Sequence, residues 1–230
     1  MALRLLATAL VALQIFFVPL TQAAPVVIHN TFGPGDSFIN GLGWAAADPG
    51  NGANYVSAER FSPSSSGLLD SVTLALRVSA LQSPFEPQSQ IRLSILSDAD
   101  GLPGALLDYA VVDLTTGFPG DPSPAELVSF QFGVDTPLLA GAHYWLALGA
   151  VLADPDFLIV WARNDQLAVG PRSFSGALFQ APGEWFLPFD AERGAARVVA
   201  QAISEPQSLA LAVPLLALVL VAFAKRRRDA

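Results

Sequence analysis

The sequence predicts an all-β fold, an antiparallel β-sandwich or jelly roll, flanked by an N-terminal signal helix and a C-terminal transmembrane helix. Three observations lead there. Period-two segments recur along the middle of the chain, clusters rich in Gly and Pro separate them, and no amphipathic helix of convincing length falls between residues 24 and 203. A strand with one apolar face must bury that face, and many short strands with Gly/Pro turns do so by packing two sheets together.

The elements follow in chain order. "MALRLLATALVALQIFFVPLTQA" carries one positive charge, Arg4, then an apolar run from Leu5 to Leu20. Thr21 and Ala23 are small residues at the −3 and −1 positions of a cleavage site. Residues 1–23 therefore read as a secretory signal peptide. Residues 31–54, rich in Gly and Asn, read as a long loop with at most one strand. Strands are predicted at Ser71–Val78, Gln90–Ser97, Ala125–Phe132, His143–Ala150, Asp156–Arg163, Ser173–Gln180 and Ala196–Ile203. In the first, Val72, Leu74, Leu76 and Val78 share a face. In the second, Ile91, Leu93 and Ile95 oppose Arg92 and Ser94. Trp145 and Trp161 lie inside apolar strands and are predicted core.

The chain closes on "SEPQSLALAVPLLALVLVAFAKRRRDA". Residues 208–224 carry no charge, and a helix of about 17 residues rises roughly 25 Å, near the lower limit for a bilayer. Lys225, Arg226, Arg227 and Arg228 follow directly and would stay cytoplasmic, leaving residues 24 to about 205 on the exported side. Pro214 inside the span is tolerated in lipid. The expected organisation is a signal peptide (1–23), an exported domain (24–203) and a C-terminal segment (204–230).

Charge sharpens this when it is split. The chain has 12 basic and 20 acidic residues. Five of the basic ones (Arg4, Lys225 and the three terminal arginines) and one acidic one (Asp229) lie in the ends. The exported part keeps 7 basic and 19 acidic groups, a net charge near −12, with no lysine. Such a surface repels nucleic acid and anionic lipid. Cysteine is absent, which removes thiol catalysis and Cys-based zinc sites.

A short polar motif, an apolar span and a terminal basic cluster together resemble the PEP-CTERM sorting signal of Gram-negative, biofilm-forming bacteria. The residues that carry the resemblance are Glu205-Pro206, the span, and Lys225 to Arg228. Ser204 stands where that motif has its first proline. The resemblance implies an exosortase-type membrane protease as processing partner. It also implies an initial inner-membrane anchorage with the domain in the periplasm, and a final place at the cell surface or in the extracellular matrix. "ILSDADGLPGALL" and "LLAGAHYWLALGA" resemble exported bacterial choice-of-anchor domains over roughly residues 27–203, which implies a β-sandwich and names no catalytic residue.

Site chemistry is sparse. Asp98 and Asp100 in "SDADGLPG" offer oxygens at the alternate spacing of calcium loops, yet position 109, where a further acidic ligand would stand, is Tyr. A turn, in which Asp and Gly accept positive φ, is the competing reading, and calcium is the one cofactor the loop admits. His29 and His143 are the only histidines, and neither GxSxG nor HExxH is present. "GLGWAA" (41–46) mimics a dinucleotide fingerprint but follows no predicted strand. Trp44 and Trp185 lie in turn-rich contexts, where they either stack on sugar rings or cap the ends of the sandwich. The expected role is structural or adhesive. A carbohydrate-binding module, with exopolysaccharide as partner, is the alternative, and a two-carboxylate hydrolase is third.

Overall fold

The computed structural model describes residues 24–47, 55–80, 90–114, 124–151, 157–176 and 184–203. The predicted signal peptide and the C-terminal segment from 204 onward lie outside the described residues. Within them there are thirteen strands and no helix. The strands are β1 (Pro25–Asn30), β2 (Phe38–Ala47), β3 (Tyr55–Phe61), β4 (Gly67–Ala80), β5 (Gln90–Ala99), β6 (Leu102–Asp113) and β7 (Glu126–Gln131). They continue with β8 (Pro137–Leu138), β9 (Tyr144–Ala150), β10 (Phe157–Asn164), β11 (Val169–Gly176), β12 (Phe189–Glu192) and β13 (Ala196–Ala202).

They form two antiparallel sheets. One runs β1-β13-β4-β10-β2, with β7 and β8 also paired to β4, and the other runs β12-β11-β3-β9-β5-β6. The 14-residue β4 is the spine of the first sheet, pairing with β13, β10, β7 and β8. Its alternation explains this. Val72, Leu74, Leu76 and Val78 are all fully buried, as the period-two pattern requires. They meet Ile91, Leu93 and Ile95 of β5 and Leu146 and Leu148 of β9 in one core between the sheets. Each such side chain contributes about 1.5–3 kcal/mol on leaving water. Trp161 belongs to this core. Trp145 is equally buried but lies on the other face of its sheet, with Ala58, Leu96 and Ala147.

Every predicted strand is present, although Asp156 of the predicted Asp156–Arg163 strand and residues 177–180 of the predicted Ser173–Gln180 strand lie outside the described residues, and the latter strand begins earlier, at Val169. Five strands carry no legible signal: β1, β3, β6, β8 and β12. The region read mainly as loop, 31–54, contains the ten-residue β2, and "GLGWAA" lies within it. Gly41 and Gly43 interrupt its alternation. An added Cβ at Gly43 would run into the Trp161 carbonyl, so the glycine permits the close approach of β2 to β10. β6 is an edge strand that contains Pro103; Ala110 and Val112 turn to the core, while Leu106, Leu107, Tyr109 and Val111 stay exposed, so apolar residues stand on both faces and hide the alternation.

Candidate functional site

Ser204, Glu205, Pro206, Lys225, Arg226, Arg227 and Arg228 lie outside the described residues. The strands next to the two ends do not. Pro25 of β1 pairs with Gln201 of β13, and Val26 with Ala200. The chain therefore enters and leaves the domain at one corner, two residues after Ala23 and three before Ser204.

The Asp98 loop closes the β5–β6 hairpin. Asp100 (φ 54°) and Gly101 (φ 86°) both occupy the left-handed region, as a two-residue type I′ turn demands. Asp98 is engaged on both oxygens. Oδ2 accepts the Gly101 N–H at 3.0 Å and Oδ1 accepts Trp145 Nε1–H at 2.8 Å, with Arg60 Nη1 3.8 Å away. Among the described residues no group of three or more acidic or histidine side chains gathers here or elsewhere.

Trp44 lies inside β2, opposite Trp161 of β10, rather than in a turn. Its ring is half-buried and occupied. The guanidiniums of Arg163 and Arg172 each sit 4.8 Å from its centroid, the Phe174 and Phe189 rings flank it, and its Nε1–H donates to Glu192 O at 2.8 Å. Trp185 bridges to Ser175 and lies half-buried on the outer face of the six-stranded sheet, against the Trp145 cluster. The two rings therefore belong to separate places.

Beneath Trp44 the sandwich holds an ion pair with no exposure. Arg172 Nη1 donates to Glu59 Oε2 at 2.7 Å and Nη2 to Ser57 Oγ at 2.6 Å, while the Trp161 ring lies 5.2 Å from the same guanidinium. Glu59 Oε2 also accepts the Gly194 N–H at 2.6 Å. An added Cβ at Gly194 would overlap the Trp161 indole, so only glycine brings that N–H to the carboxylate. Burial pushes the Glu59 carboxyl up, against the pull of Arg172, the Gly194 N–H and Arg193. Burial pulls Arg172 down to about 10, opposed by Glu59 and aided by Arg163 and Arg193, so it stays cationic at neutral pH. Glu59 and Arg172 face inward, in the cross-strand row with Leu146 and Ile95.

The histidines take no part in this cluster's hydrogen bonds. His29 tilts against Phe61 at 5.3 Å, and its buried Nε2 has no hydrogen-bond partner. Burial, with Arg193 adding to it, lowers its pKa to about 4. His143 Nδ1 shares a 2.7 Å hydrogen bond with Ser62 Oγ just before β9.

One step along the same strands, on the opposite face, the next cross-strand row reads Asp190, Pro171, Arg60, Trp145, Leu96. Asp190 pairs with Pro171, Pro171 lies one residue beyond the Arg172–Glu59 pair and so opposite Arg60, and Arg60 pairs with Trp145, which pairs with Leu96. A recess of about 170 Å³ opens over this row, lined by Arg60, Gly101, Pro171, Pro188, Phe189 and Asp190. A larger groove of about 350 Å³ lies between β6 and β8, lined by Leu107, Asp108, Asp135, Thr136 and Pro137. Its Asp108 is bonded to Thr136 Oγ1 at 2.8 Å. No protein-family model matches the chain, and no curated protein matches it at significant similarity. Neither Arg60 nor Asp190 stands out in the sequence, since an isolated charge beside a turn is ordinary surface until the register places it.

Proposed function

We propose that this chain is an exported structural or adhesive protein of a Gram-negative bacterium, delivered by its signal peptide and sorted through the PEP-CTERM-like C-terminal segment. The observation that carries the reading is the shared corner of β1 and β13. Both apolar ends leave the domain there, so one corner faces the membrane while the chain is held. Residues 203–207 separate β13 from the apolar run at 208 and span at most about 20 Å when extended. Ser204, Glu205 and Pro206 then lie in that short stretch just outside the bilayer. Pro206 keeps the preceding backbone extended, which suits a protease cleft. Cleavage after Pro206 leaves β13 whole. Cleavage ahead of Ala196 would remove a strand held between β1 and β4. The finer fold class, a jelly roll with an apolar helix at each end, belongs to this reading, as do the exosortase-type protease as partner and a final place at the cell surface or in the matrix. The reading assigns no catalytic residue.

Intact-mass spectrometry of the protein recovered from its native host tests it. The expected mature chain begins near Ala24 and ends near Pro206. A mature chain that still carries residues 208–228 refutes sorting and leaves a membrane protein with a short basic tail. The second reading, a carbohydrate-binding module, is favoured by the recess over Arg60.

A further inference from the structure

We infer that the recess lined by Arg60, Asp190, Pro171 and Pro188 binds one neutral sugar ring of a polysaccharide. The inference deepens the adhesive reading of the domain and rests on it for its biological sense. Its chemistry stands on the cross-strand row alone.

The row sets the two polar groups. Asp190, Pro171 and Arg60 are consecutive across β12, β11 and β3 on the outer face of the six-stranded sheet. The carboxylate and the guanidinium therefore flank a proline. Both have capacity to spare. The one ion pair of Arg60 among the described residues is the 3.8 Å approach to Asp98, too long for a hydrogen bond. Asp98 itself already accepts on both oxygens, from Gly101 and Trp145. Asp190 is exposed and makes no side-chain hydrogen bond or ion pair among the described residues. A carboxylate accepts from hydroxyls and a guanidinium donates to them in a fixed fork, so the pair matches the adjacent hydroxyls of a sugar, each of which both donates and accepts.

The remaining lining selects the class. Pro171 and Pro188 present C–H surface and carry no N–H, which suits the apolar edge of a pyranose. The Phe189 ring is committed elsewhere, stacked on Phe174 at 5.9 Å, so it holds β12 in place rather than receiving the ligand. About 170 Å³ admits a single ring, with the rest of a chain running out over the exposed face. Two carboxylates, Asp98 and Asp190, surround one guanidinium, and the exported part is acidic as a whole. Anionic sugars and phosphate esters are therefore repelled.

The support is also rigid. Trp145 lies fully buried beside Arg60, and its indole N–H is fixed by Asp98, the residue that also pins the β5–β6 turn carrying Gly101. A ligand seated against Arg60 thus meets a floor held from below, and little ordering is lost on binding.

The test uses the full chain in detergent, with methyl α-glucoside, methyl α-galactoside and methyl α-mannoside as probes in saturation-transfer NMR. Dextran, galactan and mannan serve as the polymer arm, and methyl glucuronide is the anionic control. At least one neutral glycoside is expected to bind in the millimolar range, with its polymer tighter and the glucuronide silent. Arg60→Gln and Asp190→Asn should each weaken binding at least about tenfold while leaving the melting temperature unchanged, since neither group carries a short contact in the fold. Absence of binding by all three glycosides and their polymers overturns the inference. So does binding that survives both substitutions, or a glucuronide that binds better than the neutral probes. The mass of the mature chain decides the sorting reading separately, so either idea can fail without the other.

Discussion

Replacing Arg172 with Met should cost about 3–5 kcal/mol, the usual penalty for breaking a buried ion pair from one side. A domain of this size is stable by about 5–15 kcal/mol in all, so the loss is a large share of it. The reasons are visible in the contacts. Met keeps the apolar stem but removes the donors to Glu59 Oε2 (2.7 Å) and Ser57 Oγ (2.6 Å) and the cation lying over Trp44 and Trp161. Glu59 would keep only the Gly194 N–H on Oε2, and its Oε1 already lacks a partner. The sign with pH follows from the direction of the Glu59 shift. Its carboxyl is raised in the folded protein, so the neutral form is the one that burial favours. That contribution is full below the unfolded pKa near 4.5 and is lost as pH rises through the folded value. Without Arg172 the carboxyl rises further, so the penalty of Arg172→Met should shrink toward pH 5 and grow toward pH 8. The double variant Glu59→Gln with Arg172→Met should recover about 2 kcal/mol, because no charge is then stranded. Urea unfolding of residues 24–203, followed by tryptophan fluorescence, reads all of this. A single variant within about 1 kcal/mol of the parent, or a double variant no better than the single, would show that the pair is not the constraint its burial implies.

Three further outcomes follow from other contacts. His29 ordinarily titrates near 6.5 and is held at about 4, so its contribution is present above 6.5 and is lost as pH falls through about 4, at most about 3 kcal/mol. In His29→Phe, which keeps a ring against Phe61, melting temperatures scanned from pH 7 to 4 should fall less steeply, and an unchanged acid limb would remove His29 from the account. Asp98→Ala should cost about 1.5–3 kcal/mol with or without calcium, since it frees Trp145 Nε1–H and the Gly101 N–H. A calcium-dependent rise in melting temperature that Asp98→Ala with Asp100→Ala abolishes would point instead to a cation, worth about 2.7 kcal/mol at a hundred times its dissociation constant. In the native host, Glu205→Ala with Pro206→Ala should leave an uncut, membrane-bound form, and deletion of residues 225–228 should impair retention or processing. Normal maturation of both, read by mass, would sink the sorting reading.

What the sequence determined by itself is whatever lives in local order. The alternation of Val72, Leu74, Leu76 and Val78 is enough to make a strand and choose its buried face, because successive side chains point to opposite sides. The burial of Trp145 and Trp161 was legible for the same reason. The Asp-Gly pair at 100 and 101 was legible as a turn, since its backbone freedom is a property of those two residues. Pairing is different in kind. Only the tertiary structure decided that β1 closes on β13, across some 170 residues, and so that both ends of the domain meet at one corner. Only the register placed Arg172 on Glu59, 113 residues away, and turned a charge in a Gly/Pro-flanked segment into a buried cation between two indoles. The same register, moved one residue, brought Arg60 beside Pro171 and Asp190 on the outer face. A one-residue slip in any of these strands would exchange the two rows, and what holds the slip in check is the burial of a whole apolar face, which no short stretch of sequence contains.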